Sequence, residues 1–189
     1  WNGSVNKVRK EIPQLPYWHI SQTAGHAYVK DAYANVTRLG LGLYGLRQGA
    51  PVEYLVNLKP VLEMNSILSG TKKIHSGDCV GYGCTFVADR DMTIATVPVG
   101  YYEGIDRRLS NKGVFKINDQ FVPILGRVSM NITTIDISGL QVKRDNKIII
   151  ISRNSDDRNS LSNLARTCET ISYEIAVHIP SHLKRILID

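Results

Sequence analysis

The hydrophobic pattern of the first fifty residues predicts one helix and two short strands. Apolar residues recur at helical spacing between residues 4 and 15, which predicts a helix. Residues 17–21 predict a short buried strand, residues 27–34 a short helix or an irregular connection, and residues 36–45 a strand that runs into a glycine-rich turn. This order and spacing are typical of the closing units of an α/β barrel.

From residue 54 to about residue 152 the pattern changes to short alternating segments separated by glycine, asparagine and aspartate. Such segments predict strands, and Asn118 with Asp119 predicts the turn of a hairpin. The predicted strand segments are 55–74, 92–99, 114–126, 130–137 and 147–151. Two short helices are predicted after them, over residues 160–167 and 171–177. Many short strands at regular intervals predict a compact β-barrel or sandwich.

The composition is that of an ordinary globular protein. The chain has 189 residues, of which 43% are hydrophobic and 21% are charged, so it can form one well-buried domain or one domain and part of another. No apolar run approaches the roughly eighteen residues of a membrane span. The net charge of +6 would permit binding to nucleic acid. However, the basic residues are scattered and do not interleave with aromatic residues, which disfavours that function.

The three cysteines are Cys79, Cys84 and Cys168, an odd number without metal-like spacing. No metal site is predicted. Cys79 and Cys84 flank a central tyrosine, Tyr82, and we expect them to form neither a zinc site nor a disulfide. Free thiols of this kind are typical of a reducing cytoplasm.

Tyr82 and Tyr101 each lie beside glycines at the end of an apolar run, in segments 79–86 and 99–104. Glycine reaches backbone conformations that are closed to other residues, so the chain can turn sharply there and point a tyrosine hydroxyl away from its own strand. The spacing alone leaves two interpretations open. The segments are either β-turns whose tyrosines cover a sheet edge, or turns whose tyrosines carry chemistry.

Five segments of the chain, in order, resemble the alanine racemases. They are residues 36–45, 77–83, 100–111, 126–131 and 169–174. In that family the first segment is the last barrel strand, the second carries a catalytic tyrosine, and the third forms the entry loop of the active site. The order and approximate spacing of the segments agree with the family over most of the chain.

The resemblance implies a fold-type III enzyme that depends on pyridoxal phosphate (PLP). Residues 1–48 would be the C-terminal remnant of its α/β (TIM-type) barrel, and residues 49–189 its β-rich, barrel-like C-terminal domain, so the chain would be mainly β. The family's Schiff-base lysine lies in an N-terminal Val-Lys-Ala-Asn-Ala-Tyr motif that is absent from this sequence. The chain is therefore expected to be the C-terminal part of a racemase and to be inactive alone.

The implied activity is the interconversion of L- and D-alanine by two bases on opposite faces of the substrate, a lysine and a tyrosine. Tyr82 matches the tyrosine and would act on the proton of the L-substrate. A phenol ordinarily has a pKa of about 10, so such a base needs positive groups near its oxygen. In the family this tyrosine reaches the barrel of the partner subunit. The resemblance thus implies a cytoplasmic head-to-tail homodimer that supplies D-alanine for peptidoglycan.

The resemblance also implies a set of cofactor-binding residues. Arg38 matches an arginine that faces the pyridine nitrogen, and its permanently protonated guanidinium would disfavour protonation of the ring. An aminotransferase would need a carboxylate at that place. The phosphate would be held by the hydroxyl groups of Thr23 and Tyr173 and by the backbones of Gly40 and Leu41. Threonine replaces the family's usual serine, but it still supplies a hydroxyl donor.

The remaining matches concern the substrate. Tyr101 and Arg107 match the narrow entrance, and Met130 matches a residue whose backbone amide meets the substrate carboxylate. Asp106 stands where proline is usual, and Asn131 stands where aspartate is usual. These departures bear on the entrance geometry and the substrate range more than on the reaction type.

The sequence alone leaves alternative functions open. The bulky ring of Tyr173 favours a methyl side chain over a hydroxymethyl one, but a serine racemase or one of broad specificity is a close alternative. Residues Tyr102 and Glu103, which replace a common alanine and aspartate, also bear on specificity. A third possibility is a non-catalytic dimerisation or binding module, because the chain has no lysine in the expected motif. A gene that extends upstream by the missing part of one barrel would favour the racemase.

Overall fold

The computed structural model describes residues 1–29, 32–46 and 58–188. In these ranges the chain forms three α-helices and eleven β-strands, which confirms the mainly β fold. None of the helices in the described ranges is long and apolar enough to cross a membrane.

The chain divides into two compact units, residues 1–61 and residues 62–189. The first contains a parallel pair of strands, whereas the sheets of the second are antiparallel. The domain boundary that the sequence predicts between residues 48 and 49 lies outside the described residues and stays a prediction.

The first unit begins with helix α1, Asn2–Glu11, where the apolar spacing predicts a helix. Strands β1, His19–Gln22, and β2, Val36–Arg38, pair in parallel, as neighbouring strands of an α/β barrel do. The connection between them contains a short 3-10 helix, Gly25–Ala27, and β2 leads into another, Leu41–Tyr44. Parallel pairing brings the carboxyl ends of both strands to one edge, and most of the predicted cofactor-binding residues follow these ends.

The second unit contains nine strands in the described residues. They are β3 Met64–Ile67, β4 Gly70–Ile74, β5 Cys79–Val80, β6 Phe86–Val87, β7 Met92–Val97, β8 Val114–Ile117, β9 Gln120–Pro123, β10 Thr133–Asp136 and β11 Lys147–Ile151. One sheet has the order β3-β11-β8-β9 and another the order β10-β7-β4. Strands β5 and β6 form a separate short pair, which holds the central tyrosine loop between them.

Two helices close the unit, α2 over Leu161–Thr167 and α3 over Ser172–Val177. Both lie where the sequence predicts them. The Ser160 hydroxyl accepts a hydrogen bond from the backbone N–H of Asn163 and caps α2, because a hydroxyl at this position satisfies one of the free donors of the first turn.

The predicted hairpin over residues 114–126 is confirmed by the pairing of β8 with β9. Asn118 and Asp119 at its turn have φ values of +47° and +60°, the left-handed conformation that asparagine and aspartate tolerate best after glycine. The alternating stretch predicted over residues 55–74 contains two strands in its described part. Strand β3 pairs with β11, whereas β4 pairs with β7, so the chain passes from one sheet to the other at Leu68.

A cluster of apolar side chains lies below the tyrosine loop. Val80 and Ala88, on either side of the loop, are buried together with Met92 and Leu125, and Phe86 packs against the same cluster. Burial of these side chains holds both ends of the loop to the sheet by the hydrophobic effect. The loop itself, residues 81–85, is left at the surface.

Candidate active site

The first group of predicted cofactor-binding residues lies around the buried hydroxyl of Thr23. The backbone N–H groups of Gly40 and Gly42 donate to its Oγ1 at 3.0 and 3.3 Å. A Cβ added to Gly42 would come within 3.0 Å of Thr23 Cγ2, so glycine allows the turn to approach the hydroxyl closely. Leu41, which lies between these glycines, is buried. Thr23 accepts these two bonds through Oγ1 and keeps its hydroxyl proton to donate, so the residue types of this turn are compatible with binding of a phosphate.

Arg38 lies at the end of β2 and contacts a residue that the sequence did not single out. Its Nη1 is 2.5 Å from Nδ1 of His19 on the neighbouring strand β1. Since a guanidinium can only donate hydrogen bonds, His19 accepts through Nδ1. The contact holds the guanidinium and fixes the orientation of both side chains. The sequence could have indicated this contact, because it predicts two adjacent parallel strands, and the side chains of such strands lie next to each other.

Tyr82 is presented by a sharp turn between β5 and β6. Gly81 and Gly83 on either side of it have φ values of +75° and +72°, which side-chain-bearing residues rarely adopt. A Cβ on Gly81 would also approach the backbone nitrogen of Arg127 to 3.2 Å. With this turn the tyrosine side chain is directed outward, and 71% of Tyr82 is exposed. The predicted orientation of a hydroxyl away from its own strand is consistent with this exposure.

The expectation that Cys79 and Cys84 are unpaired is wrong. They form a disulfide, with their Cα atoms 5.1 Å apart, whereas Cys168 is free and buried. The sharp turn at Gly81 and Gly83 brings the two cysteines together on either side of the tyrosine. The spacing of the cysteines in the sequence did not indicate this pairing. Burial raises the pKa of the Cys168 thiol to about 11, and such a thiol is unreactive at neutral pH.

The two predicted entrance residues of the second unit line one cleft. Tyr101 and Arg107 lie in successive 3-10 helices, Tyr101–Glu103 and Arg107–Leu109. The cleft has a volume of about 410 Å³, and its other walls include Asp106, Arg108, Glu174 and His178. Gly104, which also lines it, has a φ of +91° and lets the chain turn between the two short helices.

Arg108 connects the entry loop to helix α3, a contact that sequence reasoning missed. Its Nη2 donates to Asp106 Oδ2 at 2.5 Å and to Glu174 Oε1 at 2.6 Å. Asp106 also accepts from the backbone N–H of Arg108 at 2.8 Å and caps the short helix. Glu174 directly follows Tyr173, a predicted phosphate holder that is 40% exposed. The ion pair between Arg108 and Glu174 therefore joins the entry loop, which carries Arg107, to helix α3, which carries Tyr173.

The charges of Arg108, Asp106 and Glu174 stabilise one another. Hydrogen bonding and charge pairing with Arg108 lower the pKa of Asp106, and hydrogen bonds from Thr170 and Arg108 lower the pKa of Glu174. The same two carboxylates raise the pKa of Arg108. Ligand atoms of Asp106, Glu174 and His178 lie within 4.8 Å of one another. Because Arg108 already pairs with both carboxylates, Asp106 and Glu174 belong to an ion-pair network.

The segment around Met130 packs against the start of the entry loop. The backbone N–H of Tyr101 donates to Ser129 O at 3.0 Å, and that of Tyr102 donates to Met130 O at 2.9 Å. Gly100 lies so close to these carbonyls that a Cβ there would overlap them. The structure thus brings Tyr101 and Met130, two predicted substrate residues, onto neighbouring segments of the second unit.

Comparison with known proteins identifies the family. Residues 61–187 match the family described as alanine racemase, C-terminal domain. The chain belongs to this family. An alanine racemase from Lactobacillus acidophilus is 36% identical to it over 187 residues, which cover 96% of this chain and 49% of that protein. The chain thus spans about half the length of the curated relatives it matches.

Solved alanine racemases have the same fold. The enzyme from Bacillus anthracis with bound L-Ala-P is 28% identical and has a TM-score of 0.82, covering 95% of this chain and 47% of that one. The enzyme from Bartonella henselae, which has covalently bound pyridoxal phosphate, is 29% identical with a TM-score of 0.80, covering 98% of this chain and 52% of that one. These similarities confirm the assignment to the alanine racemases.

Proposed function

We propose that this chain is part of a PLP-dependent alanine racemase, an isomerase that interconverts L- and D-alanine. The observation that carries the proposal is the exposed Tyr82 on a turn that two left-handed glycines define, within a family that the sequence match establishes. The racemases of similar fold bind an alanine analogue and PLP. We infer that the protein containing this chain uses the same cofactor and a small amino-acid substrate.

The residues of this chain would contribute to holding PLP at two places. Thr23, with the backbones of Gly40 and Leu41, and the hydroxyl of Tyr173 would bind the phosphate. Arg38 would donate a hydrogen bond to the pyridine nitrogen, and its contact with His19 restricts the movement of the guanidinium. When bound, PLP withdraws electrons from the α-carbon of an amino acid, so that the α-proton becomes acidic. Because its guanidinium is permanently protonated and positively charged, Arg38 would disfavour protonation of the ring nitrogen, which favours racemisation over transamination.

Tyr82 would move the proton on one face of the substrate. Its phenolic oxygen accepts the α-proton of L-alanine and returns a proton to that face in the reverse direction. The opposite face requires a second base, which in this family is a lysine outside this sequence. Because the tyrosine is exposed on its own chain, we infer that it acts at a site in the partner subunit of a head-to-tail homodimer.

The entry loop would select the substrate. Tyr101 and Arg107 line the cleft through which an amino acid would pass, and the backbone N–H of Met130 would bind the substrate carboxylate. The ring of Tyr173 leaves room for a methyl group more readily than for a hydroxymethyl group, which favours alanine over serine. We infer that the product, D-alanine, is made in the cytoplasm and used for peptidoglycan.

The test is the turnover of L-alanine by the full-length protein that contains this chain, loaded with PLP. We expect D-alanine to form, and Tyr82→Phe to lower kcat by about 100-fold or more, because removal of a general base typically costs this much. Tyr17→Phe is the matched control, since Tyr17 is 73% exposed and lies outside the site; it should leave turnover unchanged. No turnover of alanine or serine, in a protein that still dimerises, would instead indicate a binding module.

A further inference from the structure

Two cysteines bracket the loop that presents Tyr82, and the proposed mechanism makes no use of them. Cys79 lies in β5 and Cys84 ends the 3-10 helix Tyr82–Cys84. Their Cα atoms are 5.1 Å apart and their sulfur atoms are bonded; disulfides typically span about 4.4 to 6.8 Å between Cα atoms. We propose that this pair is a reversible thiol–disulfide site whose oxidation state controls the activity of Tyr82. This inference rests on the proposed function.

On their own chain the two cysteines of the pair are open to small redox reagents, unlike the third cysteine. Cys79 and Cys84 are both exposed, whereas 2% of Cys168 is exposed. Thiol–disulfide exchange requires that an attacking thiolate reach a sulfur atom. A reductant should therefore open the Cys79–Cys84 bond while Cys168 stays unreacted.

The disulfide closes a ring of six residues that contains Tyr82. Inside the ring, Gly81 and Gly83 have left-handed backbone conformations, and Cys84 has a φ of +47°. Glycine has more backbone freedom to lose than any other residue, so a loop with two glycines would sample many conformations without the bond. The bond restricts them and holds the tyrosine in one orientation, which a general base requires.

The ends of the loop are held independently of the disulfide. The side-chain amide of Asn111 donates to the carbonyl of Thr85 at 3.0 Å, and its Oδ1 accepts from the backbone N–H of Gly126 at 2.6 Å. Val80 and Phe86 pack into the apolar cluster below. Reduction of the bond should therefore leave the fold intact and affect only the segment that carries Tyr82.

The chemical step is thiol–disulfide exchange with a dithiol. One thiolate of the reductant attacks a sulfur of the pair and forms a mixed disulfide, and one cysteine leaves as a thiolate. The second thiolate of the reductant closes its own disulfide and releases the other cysteine. Two electrons and two protons pass from the dithiol to Cys79 and Cys84. The reverse reaction, with an oxidised dithiol, restores the bond. In a cytosolic protein, such a disulfide is usually catalytic or redox-sensing.

The experiment compares the full-length, PLP-loaded protein before and after treatment with dithiothreitol. Mass spectrometry of the peptide that contains Cys79 and Cys84 should show a gain of two hydrogen atoms on reduction. At the same time kcat should fall at least about threefold, because a misplaced catalytic group is less effective. The substrate deuterium isotope effect should increase for L-alanine relative to D-alanine, since Tyr82 acts on the L-substrate. Reoxidation should restore both values.

Two variants separate this site from general effects of the reductant. A Cys79→Ser, Cys84→Ser double variant should have the kinetics of the reduced enzyme and no response to dithiothreitol. Cys168→Ser should keep the full response. If both redox states turn over alanine equally, or the two thiols stay free under oxidising conditions, control by this pair is wrong while the racemase function stands. If neither the oxidised nor the reduced protein turns over alanine although the disulfide forms, the proposed racemase function is wrong. The proposed redox control of that function is then wrong as well.

Discussion

At the scale of single residues, a hydrogen bond joins two positions that depart from the family pattern. The Nδ2 of Asn131 donates to Glu103 Oε1 at 2.9 Å, and Glu103 Oε2 accepts from the backbone N–H of Gly100 at 2.7 Å. An aspartate at position 131, the usual residue, would place a second negative charge beside Glu103 and repel it. Asparagine supplies a donor instead. The two hydrogen bonds of Glu103 thus hold the start of the entry loop against residue 131.

Gly100 provides a test of how closely the entry loop packs against the segment that contains Ser129 and Met130. We expect Gly100→Ala to destabilise the protein by about 1–3 kcal/mol, the usual cost of overpacking, because a Cβ there would overlap the carbonyl groups of Ser129 and Met130. Its φ is −148°, so the penalty would be steric and would not come from the backbone conformation. The free energy of unfolding, measured by urea denaturation, reports the change.

Gly70→Ala is the control for this prediction. A Cβ at Gly70 would make an ordinary contact of 3.5 Å with Thr96 Oγ1, and alanine can replace glycine in the strand without overlap. This variant should be close to the parent in stability. Equal stability of the Gly100→Ala protein and its parent would show that the entry loop can move away from the 129–130 segment.

At the scale of elements, Arg108 is the contact that positions the entry loop against helix α3. Its two carboxylate partners come from different elements, Asp106 from the loop and Glu174 from the helix. The side chain of Asp106 is 9% exposed and that of Glu174 is 37% exposed, so the bond to Asp106 is better shielded from water. Where the family usually has proline, a residue that rigidifies the chain, this protein has an aspartate that forms a cap and an ion pair.

The pairing predicts a specific dependence on pH. The pKa values of Asp106 and Glu174 are both lowered, so their pairing stabilises the fold at a pH above the ordinary carboxyl pKa of about 4. This stabilisation is lost as the pH falls through the lowered values of the folded protein. We expect Arg108→Gln to lower the urea midpoint at pH 7. The difference from the parent should shrink as the pH is lowered below about 4.

Arg144→Gln is the matched control, because Arg144 is 77% exposed and pairs with Asp145, which is 72% exposed, at 3.9 Å. Exposed ion pairs contribute little to stability, so this variant should change the midpoint less at pH 7. A difference between Arg108→Gln and the parent that persists unchanged at low pH would contradict a charge-based role for Arg108.

At the scale of the whole molecule, the two units differ in how much apolar surface they bury. Among the described residues of the first unit, the buried apolar side chains are Val5, Leu41 and Leu46, whereas the second unit has an extensive core. Larger apolar side chains of the first unit, including those of Tyr17, Leu39 and Leu43, are exposed. Strands of a barrel are normally covered on both faces, so this unit is suited to pack with further barrel segments.

We expect this chain by itself to have no racemase activity and to retain no PLP covalently. None of its lysines lies in the motif that carries the Schiff-base lysine in the family, so we expect this chain to lack the second base and the point of attachment. The measurement is the absorption of the isolated chain after incubation with PLP and dialysis, followed by borohydride reduction and peptide mapping. The full-length protein, treated identically, is the positive control. PLP trapped on a lysine within residues 1–189 would contradict this expectation.

Local patterns in the sequence were sufficient to predict most elements. The hairpin at Asn118 and Asp119 and the helix after Ser160 follow from residue types that favour one backbone conformation or one cap. The sharp turn that presents Tyr82 followed from its two glycine neighbours. In each case the determining interactions lie within a few residues, so the sequence contains them directly.

Contacts between distant segments were decided only by the tertiary structure. The sequence could not show that the chain changes sheets at Leu68, that His19 holds Arg38, or that Arg108 reaches Glu174 across 66 positions. It also led to a wrong expectation for Cys79 and Cys84, whose pairing depends on the turn between them. The hydrophobic pattern determines which residues are buried, but pairings of strands and side chains depend on three-dimensional packing, in which partners come from remote parts of the chain.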